Sequence, residues 1–131
     1  MVKKRILVVC THNSARSQIA EAYLRHFLGD KAEVRSAGTE PRGVHPLAQA
    51  VMKEAGHDIS THTSDPIQKY LGEKWDYVIT VCDHAREACP YVPAEHHVHV
   101  SFSDPSQGDI ENFRQVREAI RLWAISFAES I

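Results

Sequence analysis

Residues Ile6-Leu7-Val8-Val9 form an apolar run with no polar alternation, followed at once by Cys10-Thr11-His12-Asn13-Ser14-Ala15-Arg16-Ser17. A short unbroken apolar run suits a strand buried on both faces, and such strands belong to parallel sheets covered on both sides. Beyond Arg16, the residues Ile19, Ala20, Tyr23, Leu24 and Phe27 recur at helical spacing. The stretch from Cys10 to Ser17 therefore sits where a strand turns into a helix. Backbone N–H groups of such a turn converge on a tetrahedral anion, aided by the positive end of the helix dipole. Arg16 adds a planar donor fork suited to two oxygens of that anion. The same field favours thiolate over thiol at Cys10, and a hydrogen bond from Ser17 would strengthen that preference. Thr11, His12, Asn13, Ser14, Ala15 and Arg16 thus form a candidate oxyanion loop, with Cys10 as its nucleophile.

The rest of the chain repeats the strand–helix alternation. Residues 4–9 are expected as the first strand, and Gly29-Asp30 ends the helix that follows the loop. A second strand is expected over 32–37, closed by Gly38. Pro46 opens a helix with Leu47, Ala48, Val51, Met52 and Ala55 on its apolar face, stopped by Gly56. Tyr77 to Val81 is a third strand and His97 to Phe102 a fourth. Asp109 caps a last helix that turns Phe113, Val116, Ile120, Trp123 and Phe127 inward. The expectation is an α/β fold, a single domain over 1–131 with a four-stranded parallel sheet flanked by helices. Ligands of such sheets sit beyond the carboxyl ends of the strands, where Cys10 falls, and Cys82 with it.

With 131 residues and a net charge of −2, the chain has no electrostatic footprint for nucleic acid. The apolar stretch after the basic start is too short for a signal peptide or a membrane span. A cytoplasmic monomer is the expectation. Its three cysteines, Cys10, Cys82 and Cys89, are an odd number, which argues against a static disulfide framework.

Asp104, ahead of Pro105 on a loop after the last strand, can serve as general acid to a leaving oxygen; the alternative is an ordinary turn aspartate. Cys82 and Cys89 are separated by six residues that can form a helical turn or two. That spacing keeps the sulfurs apart unless the segment unwinds, so the pair reads as a redox switch. Two other readings remain at this point: unrelated buried cysteines, or metal ligands with His84, His96, His97 or His99. The spacing matches none of the usual short zinc motifs.

Taken together, Cys10-Thr-His-Asn-Ser-Ala-Arg-Ser-Gln18, Ala20-Glu21-Ala22, Ser36-Ala37-Gly38, Asp58-Ile59-Ser60, Thr63-Ser64-Asp65 and Cys82-x6-Cys89-Pro90 resemble the thioredoxin-coupled arsenate reductases. That family has the fold of the low-molecular-weight protein tyrosine phosphatases. Its members often carry a further cysteine just before the loop arginine, where this chain has Ala15. The resemblance implies reduction of arsenate to arsenite, in arsenic detoxification, by a three-thiol relay. Cys10 attacks arsenate with Arg16 and Asp104 assisting, Cys82 attacks Cys10, and Cys89 attacks Cys82 to leave a Cys82–Cys89 disulfide for thioredoxin. It also implies weak binding of phosphate or sulfate as analogues. No tightly bound cofactor is implied, but a potassium ion behind the loop is, at Asn13, Glu21, Ser36, Thr63 and Asp65, all oxygen-bearing. Two rival readings use the same loop: a phosphotyrosine or small-molecule phosphatase, and a redox- or oxyanion-sensing module. A third variant keeps arsenate reduction but draws electrons from glutaredoxin or a small thiol.

Overall fold

The structure, a computed structural model, describes residues 3–81 and 91–131. In chain order its elements are β1 (Lys4–Cys10), α1 (Arg16–Leu28), β2 (Ala32–Gly38), α2 (Pro46–Glu54), β3 (Tyr77–Thr80), β4 (His96–His99) and α3 (Ile110–Ser130). Short 3-10 turns lie at Gly29–Lys31 and Ile67–Lys69. The four strands make one sheet in the order β2-β1-β3-β4, and every pairing is parallel. The chain leaves β1 to build β2 on one side and later returns to build β3 on the other. The strand order therefore switches beside the carboxyl end of β1, where a crevice opens in sheets of this kind.

The β1 residues divide between two cores. Ile6, Val8 and Cys10 face the larger one, with Ile19, Ala20, Tyr23 and Leu24 of α1, Val51 and Met52 of α2, and Phe113, Ile120 and Phe127 of α3. Leu7 and Val9 face the smaller one, with Val78, Ile67, Tyr70, Trp75 and Val92. Burial on both faces explains the unbroken apolar run. The three helices share the first face, whereas the second is covered, among the described residues, by the 3-10 turn at Ile67 and the loop through Trp75.

Local chemistry sets the element ends. Gly29 closes α1 with φ 53°, a left-handed conformation that costs glycine little. His45 caps α2, its ring Nδ1 accepting from Leu47 N at 3.0 Å. Asp109 and Asn112 form a reciprocal capping box at the start of α3. The elements depart from the sequence expectation at several points, the third strand for one ending at Thr80 and not Val81. The fourth strand stops at His99, because β3 ends at Thr80 and Val100 N→Thr80 O is the last bond available to it. The helix from Pro46 ends at Glu54, which leaves Ala55 exposed and outside its apolar face. Leu47 and Trp123 are half-buried, flanking the core without entering it. Cys82, Cys89 and the segment between them lie outside the described residues.

Candidate functional site

The oxyanion loop is built from both ends. Asn13 takes φ 46°, which turns the chain between β1 and α1 and which asparagine tolerates better than most residues. The loop carbonyls are engaged from outside: Glu40 N donates to Thr11 O (2.8 Å), Arg42 N to His12 O (3.1 Å) and His45 N to Ser14 O (3.0 Å). The segment 40–45 thus lies along the loop as a short ladder. Ala15, at the N-cap of α1, makes no side-chain cap, so no capping side chain stands between the helix start and an anion in front of it. Gly38, at the end of β2, permits this packing: a Cβ there would stand 2.6 Å from Thr11 O and 2.9 Å from Asn13 N.

Cys10 is 2 % exposed and its Sγ lies 3.3 Å from Ser17 Oγ. The neighbours of Ser17 hold it there. Asp65 N donates to Asn13 Oδ1 (2.9 Å), so the amide group of Asn13 is oriented and its Nδ2 donates to Ser17 Oγ (2.8 Å) and Ser36 Oγ (2.9 Å). Asn13 thereby holds the Ser17 hydroxyl in place beside the Cys10 sulfur. Ser36 in turn donates to Glu21 Oε1.

A cavity of about 330 Å3 opens over this loop, lined by Cys10, His12, Arg16, Arg42, His45 and Asp104 among others. Arg16 is 3 % exposed and its NH1 donates to Phe102 O (3.2 Å), which fixes the guanidinium from the side of the loop before α3. Asp104 Oδ1 accepts from Ser106 N (3.0 Å), while Oδ2 stands 3.7 Å from Arg16 NH2. That separation exceeds a hydrogen bond and leaves Oδ2 able to meet a ligand oxygen. A thiol, a planar donor fork and a carboxyl group therefore converge on one space at the strand ends, an arrangement suited to nucleophilic attack on a tetrahedral oxyanion.

Behind the loop lies a second cavity of about 220 Å3, lined by Glu21, Ser36, Thr63, Asp65 and the cationic residues Arg25, Arg35 and Lys69. Four of the five residues named for potassium thus share one space, and Asn13 sits one hydrogen bond behind Ser36. Their donors are carboxylate and hydroxyl oxygens, which fit a hard cation. They are not idle: Arg25 NH2 is 2.6 Å from Glu21 Oε2, Thr63 Oγ1 donates to Asp65 Oδ2 (2.8 Å), and Lys69 Nζ is 3.6 Å from Asp65 Oδ1. Burial, then the Asp65 carboxylate, push the Tyr70 phenol up to about 12. Gln18, fully buried, donates to Asn13 O (3.0 Å) and Thr63 O (2.9 Å), so its Oε1 is the acceptor for His62 Nδ1 at 3.0 Å. Burial lowers the His62 pKa below the usual imidazole value, with Glu21 opposing. Among the described residues no cluster of three or more His, Cys, Asp or Glu side chains could hold a metal. His97 and His99 of β4 instead bond Val92 O and Thr80 Oγ1, both at 2.7 Å.

Sequence reasoning named Cys10, Arg16, Ser17 and Asp104, and the structure brings them together. It passed over Arg42, His45, Ser106 and Gln107, which complete the cavity wall. The signal available for them was position: Pro41-Arg42-Gly43 is a turn following the second strand, at the sheet edge that carries Cys10.

The profile of the low molecular weight phosphotyrosine protein phosphatase family matches residues 5–131. An arsenate reductase of Halalkalibacterium halodurans is 44 % identical over 137 aligned residues that cover 99 % of each chain. The chain belongs to this family, among its arsenate reductases. A solved arsenate reductase in its phosphate-binding state superposes with a TM-score of 0.87 at 36 % identity, over 98 % of both chains. The thioredoxin-dependent arsenate reductase of Corynebacterium glutamicum gives 0.70 at 32 % identity, over 98 % of this chain and 64 % of that one. The family's α/β sheet, expected from the strand–helix alternation, is thus the one observed. Among the described residues no helix is long and apolar enough to cross a membrane.

Proposed function

We propose that this chain reduces arsenate to arsenite by a relay through Cys10, Cys82 and Cys89, with thioredoxin restoring the thiols. The observation that carries the reading is the buried Cys10 sulfur beneath a cavity that also receives Arg16 and Asp104, in a chain similar over its full length to arsenate reductases. Arsenate is held by the loop N–H groups and Arg16. The Cys10 thiolate attacks arsenic, and an arsenate oxygen leaves as water with a proton from Asp104. The Cys82 thiolate then attacks Cys10 Sγ, the S–As bonding pair passes to arsenic, and arsenite departs as As(III). Two thiols have supplied two electrons, and a Cys10–Cys82 disulfide remains. Cys89 attacks Cys82, frees Cys10 and leaves a Cys82–Cys89 disulfide for the dithiol of thioredoxin. The order of the last two steps rests on the cysteine pattern shared with the family. A reducing, cytosolic compartment is part of the same proposal, since the cycle begins with three thiols.

A potassium ion held by Glu21, Ser36, Thr63 and Asp65, with Asn13 behind them, is a further part of it. Bound there it would supply positive charge under the loop.

The experiment follows NADPH oxidation with thioredoxin and thioredoxin reductase on adding arsenate. The parent turns over repeatedly, while Cys82→Ser and Cys89→Ser stop after at most one cycle. Continued full turnover by either variant would sink the relay; no arsenate-driven turnover in the parent would sink the reading. The phosphatase reading draws on the same Cys10, Arg16 and Asp104. No aromatic carbocycle among the described residues lines the cavity to receive an aryl ester. Brisk p-nitrophenyl phosphate hydrolysis that survives loss of Cys82 would favour it nonetheless.

A further inference from the structure

The described arginines follow one pattern with a single departure. Arg5 pairs with Glu33 and Glu73, Arg25 with Glu21, and Arg35 with Glu33. Arg114, Arg117 and Arg121 pair with Glu54, Glu111 and Glu118, and Arg16 faces Asp104. Among the described residues Arg42 has no carboxylate partner, and its side chain carries no hydrogen bond. Yet it is the arginine that, with Arg16, lines the oxyanion cavity. Its backbone N–H on His12 O places it on the wall directly beside the loop, and the nearby Glu40 lies 3.9 Å from His12. An exposed guanidinium with no counter-charge among the described residues, at the mouth of an anion site, is a donor kept for the ligand.

We infer that Arg42 is a substrate-binding and charge-selecting residue, which meets the second negative charge of the incoming oxyanion. The inference rests on the oxyanion reading of the Cys10 loop and adds the ligand's charge to its shape. Arg16 and the loop amides recognise a tetrahedron; they are buried and fixed. Arg42 is exposed and borne on the segment 40–45 that lies along the loop, so it engages the outward oxygens as the ion enters. Its contribution appears in affinity and in capture, not in the bond-making step. A doubly charged inorganic ion gains from both arginines. A singly charged ion of the same shape gains little from the second.

The test compares the full-length reduced parent with Arg42→Gln and Arg42→Lys. Arg42→Gln raises the KM for arsenate about ten-fold with kcat within about two-fold, and Arg42→Lys, which keeps the charge, recovers most of the loss. In parallel, sulfate and perchlorate are titrated as tetrahedral ions of charge −2 and −1, by equilibrium binding to the same proteins. The preference for sulfate over perchlorate shrinks about five-fold or more in Arg42→Gln, because the sulfate loss is the larger. An unchanged KM, or equal losses for the two ions, overturns the inference. If arsenate drives no turnover in the parent, the reduction reading fails, while the sulfate and perchlorate titrations still decide the role of Arg42.

Discussion

In front of the loop, Arg16 and Arg42 face a cavity whose carboxylate among the described residues is Asp104; behind it, Glu21 and Asp65 face one already supplied with Arg25, Arg35 and Lys69. The two spaces share a wall, and one chain of hydrogen bonds crosses it, from Glu21 through Ser36, Asn13 and Ser17 to Cys10. Their charges are engaged differently. The front carries, in Arg42, a guanidinium with no carboxylate partner among the described residues, and an uncapped helix start, which suits an anion that comes and goes. In the rear the carboxylates are bonded to hydroxyls and to cationic side chains, which ties the loop down. An exchangeable site and its support are thus built from polar residues that differ in how far their charges are engaged.

That contrast can be broken most severely at Arg16. Arg16→Lys removes the planar fork while keeping the charge and should lower kcat/KM for arsenate by roughly a hundredfold. A loss confined to about two-fold, in steady-state assays, would mean that charge alone suffices in front. Gly38→Ala strikes the shared wall. Its Cβ meets the backbone at Thr11 and Asn13, so stability should fall by about 1–3 kcal/mol and sulfate affinity should weaken with it. Denaturant unfolding with sulfate titration checks both, and an undisturbed protein would show that the loop yields without cost. Potassium addresses the rear. An ion at ten times its dissociation constant adds about 1.4 kcal/mol, which should raise the melting temperature by ~5 °C over choline chloride at equal ionic strength. No difference between the salts would show that Arg25 and Lys69 already do that work.

The smallest effect lies outside both cavities and gives the background for the others. His57 has its pKa held below the usual 6.5 by burial and by the neighbouring His26. Above about pH 6.5 it is neutral in the folded and unfolded states alike. As pH falls through that value the unfolded chain takes up the proton first, so stability declines toward acid. His57→Asn should flatten that slope in melts between pH 5 and 7, and an unchanged slope would place the proton uptake elsewhere.

Several features were legible because their causes are local. The apolar run of β1 announces burial on both faces, Pro46 and Asp109 open helices by their own chemistry, and Cys10 to Arg16 announces an anion loop by residue type and spacing. The boundary of β4 was not, since Val100 and Phe102 are apolar but a strand extends only as far as its partner, and β3 stops at Thr80. The rear residues were named through family resemblance alone. Thr63 and Asp65 are near neighbours along the chain, but nothing local in Glu21 indicates that Ser36 and the Thr63–Asp65 pair will lie beside it. Arg42 carried only the signal of its position after the second strand; that it would lie along the loop and face the cavity was not legible.

The chain order alone determined that a thiol would stand at a strand end before a helix start, because that follows from hydrophobic pattern and turn chemistry within about twenty residues. Tertiary structure decided what holds that thiol in place and what faces it. The orientation of the Asn13 amide that bonds Ser17 depends on Asp65 N, across 52 positions of sequence. The placing of Arg16 depends on Phe102 O, across 86. Hydrogen bonds of such span exist only after the sheet has brought distant loops to one edge, and a pattern read along the chain carries no information about which loops will meet.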